Sequence, residues 1–205
     1  MRWLVCVVLL MLLALESRAE EIFLIPEHNP KPVYPPALQR AGIIGEVRVG
    51  FTVHPDGTIS KVKILKSAHP DLVKAVRVAV EQWRFKPWTV EGDKPSEQDV
   101  IAPMKFGFNV YLPMDVNQSL KKLKCRDVNE TFVRLPEHKW ADSAPFHYIR
   151  AYLSNSLSSA ILSDERRLAL IAKMNRMVPT IVRQCLSSPG SRYARYLPKD
   201  IRELL

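Results

Sequence analysis

The chain has 205 residues, of which 47% are hydrophobic and 25% charged, and it carries a net charge of +9. That length holds one or two small domains. The basic residues are scattered, with no run of them interleaved with aromatics, which argues against a nucleic-acid partner.

The amino terminus reads as a secretory signal peptide over residues 1–19. Arg2 supplies a positive start, Leu4 to Leu15 is an apolar run, and "ESRA" ends with small residues at Ser17 and Ala19. A membrane span needs roughly 20 apolar residues, so the run is short for one. The alternative is an uncleaved anchor in the inner membrane. Cleavage after Ala19 would start the chain at Glu20 with a net charge of +8. It would remove Cys6 and leave Cys125 and Cys185. An even pair in an oxidising compartment suggests a disulfide. It would close a loop of about 61 residues, worth about 4 kcal/mol in the chain-entropy account. The alternative is two buried free thiols.

Residues 20–33, with Pro26, Pro30 and Pro32, read as an extended lead-in. Pro35 and Pro36 open a short helical turn that stops at Gly42. In "EVRVGFTVHPDGTISKVKIL", Val47, Val49, Phe51 and Val53 alternate with polar or small residues, the pattern of a half-buried strand. Asp56-Gly57 is a hairpin turn, and Ser60, Val62 and Ile64 continue on the return strand. Ser67 or Asp71 is expected to cap the next helix. Leu72, Val76, Ala79, Val80 and Trp83 place an apolar face on it, with Trp83 as its last apolar residue. Phe85 continues in extended form, and Pro87 forbids more helix. The aromatic cluster of "WRFKPW" therefore reads as a core plug at Trp83 and Phe85, with Trp88 either core or contact surface. A third strand follows in "VIAPMKFGF". There Val100, Ala102, Met104, Phe106 and Phe108 share one face, and Pro103 calls for an edge or a bulge.

Tyr34-Pro35, Gly45, the alternating valines, Asp56-Gly57, then Trp83, Phe85 and Pro87 of "WRFKP", and Pro103 with Phe106 form an ordered set. Together they resemble the carboxy-terminal domain of the TonB family over about residues 32 to 110. The resemblance implies an α+β fold for residues 34–112: a small antiparallel three-stranded sheet covered by a helix. It implies a periplasmic protein that grips an outer-membrane receptor or transporter during energy-dependent import. The grip implied is a partner segment added to the edge strand at Val100, Ile101, Ala102, Pro103, Lys105 and Gly107, as an unpaired edge allows. Three features depart from the family pattern. The apolar segment Trp3 to Leu15 lacks the family's anchor histidine, only 14 residues separate Glu20 from Tyr34 where relatives have a long proline-rich spacer, and Trp88 stands where relatives tend to carry a small residue.

Residues 113–205 read as helical. Phe146, Ile149, Leu153 and Leu157 fall at helical spacing between Ser143 and Ala160. Ser163 is a helix cap, with Asp164 and Glu165 in the first turn. Leu168, Ile171, Met174, Val178, Ile181 and Cys185 form a second stripe, which Pro179 is expected to kink. "SRYARYLPKDIRELL" reads as a last short helix. No histidine has metal-ligand spacing, "SNSLSS" at Ser154 to Ser159 has no neighbouring base, and no phosphate loop or nucleophile elbow occurs. The expectation is therefore neither an enzyme nor a cofactor protein. A second reading is a soluble periplasmic scaffold that binds another envelope protein or the cell wall without transducing energy. A homodimer is a further arrangement left open.

Overall fold

The computed structural model describes residues 22–92, 94–108, 112–113, 115–155 and 162–205. The leader over residues 1–19, its cleavage site, Leu157, Ala160 and most of "SNSLSS" lie outside them. The lead-in forms β1 (Pro26–His28), and Pro36 opens α1 (Pro36–Ala41), which Gly42 closes in the left-handed region. Then come β2 (Gly45–Val53), β3 (Ile59–Ser67), α2 (Pro70–Val80), β4 (Arg84–Phe85) and β5 (Gln98–Phe106). The main sheet has three antiparallel strands in the order β3-β2-β5. A second small sheet pairs β1 with β4, so the lead-in is folded onto the domain and is more than an extended arm.

Alternation fixes which face is covered. Val47, Val49, Phe51 and Val53 of β2 are buried together with Leu72, Val76 and Val80 of α2. Trp83 and Phe85 belong to this core: their rings meet Phe51 at 5.5 and 6.2 Å, edge-on and stacked respectively. The plug is therefore structural, and its indole N–H donates to the Pro30 carbonyl at 3.0 Å, pinning the lead-in. Trp88 is half-buried, with its indole N–H on the Pro95 carbonyl at 3.1 Å.

Three local expectations change. The α2 cap is His69, whose Nδ1 accepts the Asp71 N–H at 3.1 Å; Pro70 occupies the first helical position, so neither Ser67 nor Asp71 can be the boundary residue. The helix ends at Val80 rather than at Trp83, because the amides of Gln82 and Trp83 turn back to the carbonyls of Ala79 and Val80 in tighter turns. Phe108 lies beyond β5 and outside the covered face; its ring meets His147 at 5.2 Å.

The remainder is helical: α3 (Val116–Lys122), α4 (Cys125–Val133), a 3-10 turn (Glu137–Asp142), α5 (Ala144–Leu153), α6 (Asp164–Ser187), a 3-10 turn (Tyr193–Tyr196) and α7 (Lys199–Leu204). Ser163 caps α6 by accepting the Arg166 N–H. The helix runs through Pro179 without ending. Its buried stripe is Arg167, Leu170, Ile171, Met174, Val178, Ile181, Val182 and Cys185, so Leu170 takes the core place expected of Leu168, which is half-buried. The Cys125–Cys185 disulfide joins α4 to α6 in a core separate from that of the sheet. No helix among the described residues is long and apolar enough to cross a membrane.

The two cores meet at α1. A methyl group on Gly42 would lie 2.4 Å from Ile171 Cδ1, so α6 touches the turn directly. Buried Arg167 donates to the Gly42 carbonyl, and Asn175 Nδ2 donates to the Arg40 carbonyl at 2.8 Å. Buried Arg150 orients Asn175 through a bond to its Oδ1 at 3.2 Å.

Candidate functional site: a strand edge

The main sheet has two outer edges, and neither pairs with another strand among the described residues. They differ in kind. The β2–β3 register shifts twice, between Arg48 and Val49 and between Gly50 and Thr52. Lys61 sits at the second irregularity with φ 53°, a left-handed conformation that a lysine adopts under strain. Lys61, Lys63 and Lys66 all lie on β3 and are exposed. Bulges and lysines are the devices that stop one sheet edge from pairing with another.

β5 has no bulge, and it carries a single lysine, Lys105, beside Pro103. Its register with β2 is unbroken from Gly45↔Phe106 to Val53↔Gln98, passing through Arg48↔Pro103. An antiparallel ladder survives a proline only where the missing N–H would point away from the neighbour. Asp99, Ile101 and Lys105, which share that parity with Pro103, therefore aim N–H and C=O outward. Val100, Ala102 and Met104 direct theirs to β2, and their side chains pack against the covered core. The predicted edge residues thus divide: Ile101, Pro103 and Lys105 present backbone to the outside, Val100 and Ala102 hold the strand in place, and Gly107 lies just past the strand end.

The lead-in borders this edge. Ile22, Phe23 and Leu24 form a groove of about 580 Å³ with Gln98 to Ile101. Lys31, Pro32 and Tyr34 form another of about 300 Å³ with Pro103 to Gly107. Phe23 is 88% exposed and Ile101 65% exposed, so apolar side chains flank the open backbone. Phe23 and Lys31 were not foreseen as site residues. They are distant from β5 in sequence, and only the lead-in's pairing through β1 brings them near.

The motif residues build the scaffold behind the edge. Tyr34 donates to the Ile43 carbonyl at 2.6 Å and meets Phe106 edge-on at 5.5 Å; burial pushes its hydroxyl pKa up to about 12. Pro35 is the residue from which α1 starts. A methyl on Gly45 would lie 2.3 Å from Ala68 Cβ. Asp56 accepts from the Thr58 amide and hydroxyl, which hold its carboxyl below the usual range. Gly57 has φ 81°, and a methyl there would lie 1.9 Å from the Phe85 carbonyl oxygen. The Phe85 amide donates to the Gly57 carbonyl at 3.0 Å, and the Trp88 amide to the Pro55 carbonyl at 2.9 Å. "DG" and "WRFKPW" are therefore two sides of one contact. On the outer face, Glu46 lies opposite Lys105 and bonds Arg48 at 2.7 Å, which lowers its carboxyl pKa. Among the described residues no cluster of histidine, cysteine or carboxylates is arranged to hold a metal ion.

Residues 30–108 match the family described as the Gram-negative bacterial TonB protein C-terminal. Protein TonB of Xanthomonas campestris pv. campestris is 39% identical over 82 residues, 40% of this chain and 36% of that protein. Protein TonB of Pseudomonas aeruginosa is 42% identical over 70 residues, 34% of this chain and 20% of that protein. The chain thus aligns with about a third or less of the length of these relatives. The solution structure of the Pseudomonas aeruginosa TonB C-terminal domain has 30% identity, covering 47% of this chain and 94% of that one, with a TM-score of 0.37.

Proposed function

Residues 30–108 belong to the TonB carboxy-terminal domain family, which is non-enzymatic, and from this we propose that the outer edge of β5 binds an extended segment of an outer-membrane receptor or transporter as an added strand, on the periplasmic side. The observation that carries the reading is the contrast of edges: β3 is bulged and lysine-rich, whereas β5 is regular and open. An incoming strand meets paired donors and acceptors at Asp99, Ile101 and Lys105, and only an acceptor at Pro103. Each bond contributes about 0.5–1.5 kcal/mol net. Less the ordering cost of the peptide, a few such bonds give binding of roughly micromolar strength.

Lys105→Pro tests this directly. It removes an outward amide at a position where, as at Pro103, the β2 ladder does not need one. Titration of extended receptor segments should show binding lost in Lys105→Pro and largely kept in Lys105→Ala, with circular dichroism unchanged in both. Equal loss in the alanine variant would mean side-chain recognition and would sink strand addition.

A second reading is favoured by one feature. The lead-in is packed down by β1, β4 and the Trp83–Pro30 hydrogen bond, so residues 26–34 do not act as a free spacer. This supports a periplasmic scaffold that binds an envelope partner and transmits no force. Sequencing the amino terminus of the protein recovered from its host separates the two: a start at Glu20 supports the scaffold, and a membrane-held Met1 supports transduction.

A further inference from the structure

The net charge is not evenly spread. Residues 113–205 contain 16 Lys and Arg against 9 Asp and Glu, so they carry +7 of the total +9. Two stretches dense in cations, "KKLKCR" at 121–126 and "RYARYLPKDIR" at 192–202, lie far apart in sequence. The fold brings them together. Lys124 pairs antiparallel with Arg192. The amides of Cys125 and Tyr193 donate across to the carbonyls of Ser191 and Leu123, each at 2.8 Å, and the Arg126 amide donates to Pro189 at 2.9 Å. Arg202 joins by donating to the Arg195 carbonyl at 3.1 Å. The disulfide at Cys125 fixes the base of this crossing.

Elsewhere in the helical half several cations are matched, Arg183 with Glu137, Lys173 with Asp200, Arg134 with Glu130 and Arg167 with Asp164, while Lys139, Arg166 and Arg176 have no carboxylate at ion-pair distance among the described residues. In the two stretches at the crossing only Arg126 and Lys199 are paired. Asp127 lies 3.6 Å from Arg126 Nε and accepts the Lys124 backbone amide. Lys121, Lys122, Lys124, Arg192, Arg195 and Arg202 have no carboxylate at ion-pair distance among the described residues. Like charges facing each other across a strand pair are destabilising. An anionic surface laid against the crossing would relieve that repulsion.

We propose that this basic face binds anionic lipid headgroups and holds the helical half against a membrane surface. Flexible, mostly exposed cations from a helix end, an extended crossing and a 3-10 turn suit a plane of phosphates, which neutralises all of them at once; a single small anion would instead be gripped by buried, oriented donors. The attachment is independent of strand addition at β5 and uses a different half of the molecule.

The test is co-sedimentation of the full chain with phosphatidylcholine vesicles, with and without about one third phosphatidylglycerol, at low and high salt. The quantity read is the ratio of binding to the two vesicles, because the apolar residues 3–15 contribute to both alike. The ratio should be about tenfold or more at low salt and collapse at high salt. A variant with Lys121, Lys122, Lys124, Arg192 and Arg195 all changed to Gln should bring it close to unity. A control with Lys63, Lys66, Arg77, Lys86 and Lys94 changed to Gln removes equal charge from the sheet half and should keep most of it. Equal loss in the control would show that net charge alone is responsible and overturn the proposal. So would a patch-dependent binding to isolated cell-wall polymer with no preference among vesicles.

Discussion

The sheet half and the helical half have cores of similar kind but opposite ways of ending. The sheet half stops at an open strand edge, with backbone donors and acceptors unpaired by other strands among the described residues. The described residues of the helical half pair most of their backbone within helices and at the Lys124–Arg192 crossing, and the half is stapled internally by Cys125–Cys185. The proposed backbone pairing therefore belongs to the first. What the second exposes is side-chain charge. The difference teaches that the flank of a helix offers a partner only side chains, whereas a strand edge can present the chain itself.

The largest expected effect separates the halves by redox state. Reducing the disulfide should destabilise the helical half by about 4 kcal/mol, given a loop of 60 residues. Hydrogen exchange should quicken in α6 and leave β2 nearly unchanged. Equal quickening in both would mean that the two cores unfold as one unit.

Next is Gly57→Ala, which strikes the other half. The new methyl would meet the Phe85 carbonyl in a left-handed turn, so a loss of about 3 kcal/mol is expected. Exchange should then rise in β2 and β3 first. A neutral result in thermal melts would show that the contact between the turn and "WRFKPW" yields easily.

Arg167→Ala probes the joint between them. It leaves the Gly42 carbonyl without its buried donor and opens space beside Ile171, for a loss of about 2 kcal/mol. Calorimetry should show the halves melting more separately than in the parent chain. An unchanged profile would mean that the Asn175–Arg40 bond suffices alone.

The smallest effect is one of pH. His147 meets Phe108 across the joint, and burial with the nearby Arg150 charge lowers its pKa below 6.5. The unfolded chain thus takes up the proton first. The stability this neutral imidazole contributes is present above pH 6.5 and is lost as pH falls from 6.5 through the lowered folded value. His147→Gln should flatten that decline in melts taken across the window; an identical slope would put the acid sensitivity elsewhere.

Much of the sheet half was legible because its signals are local. Alternating Val47, Val49, Phe51 and Val53 set the covered face, and Asp56-Gly57 set the turn. Less legible were contacts between distant segments. His69 went unnoticed as a cap because histidine is an uncommon one, although Pro70 marks the boundary. Arg167 lies on the buried face of α6 for a reason no periodicity reveals: its partner is a carbonyl 125 residues away. The bulges of β3 and the crossing of Lys124 with Arg192 were invisible for the same cause.

By itself the sequence determined the three strands of the main sheet, the covering helix, the aromatic plug and the family of residues 30–108, since these follow from period, turn chemistry and an ordered motif. Tertiary structure alone decided which edge of the sheet is bulged and which is regular, that the lead-in borders the regular one, and that two cation-dense stretches remote in sequence lie side by side. Those properties depend on register and on the meeting of remote segments, and a one-residue change of register reverses which side of a strand any group faces.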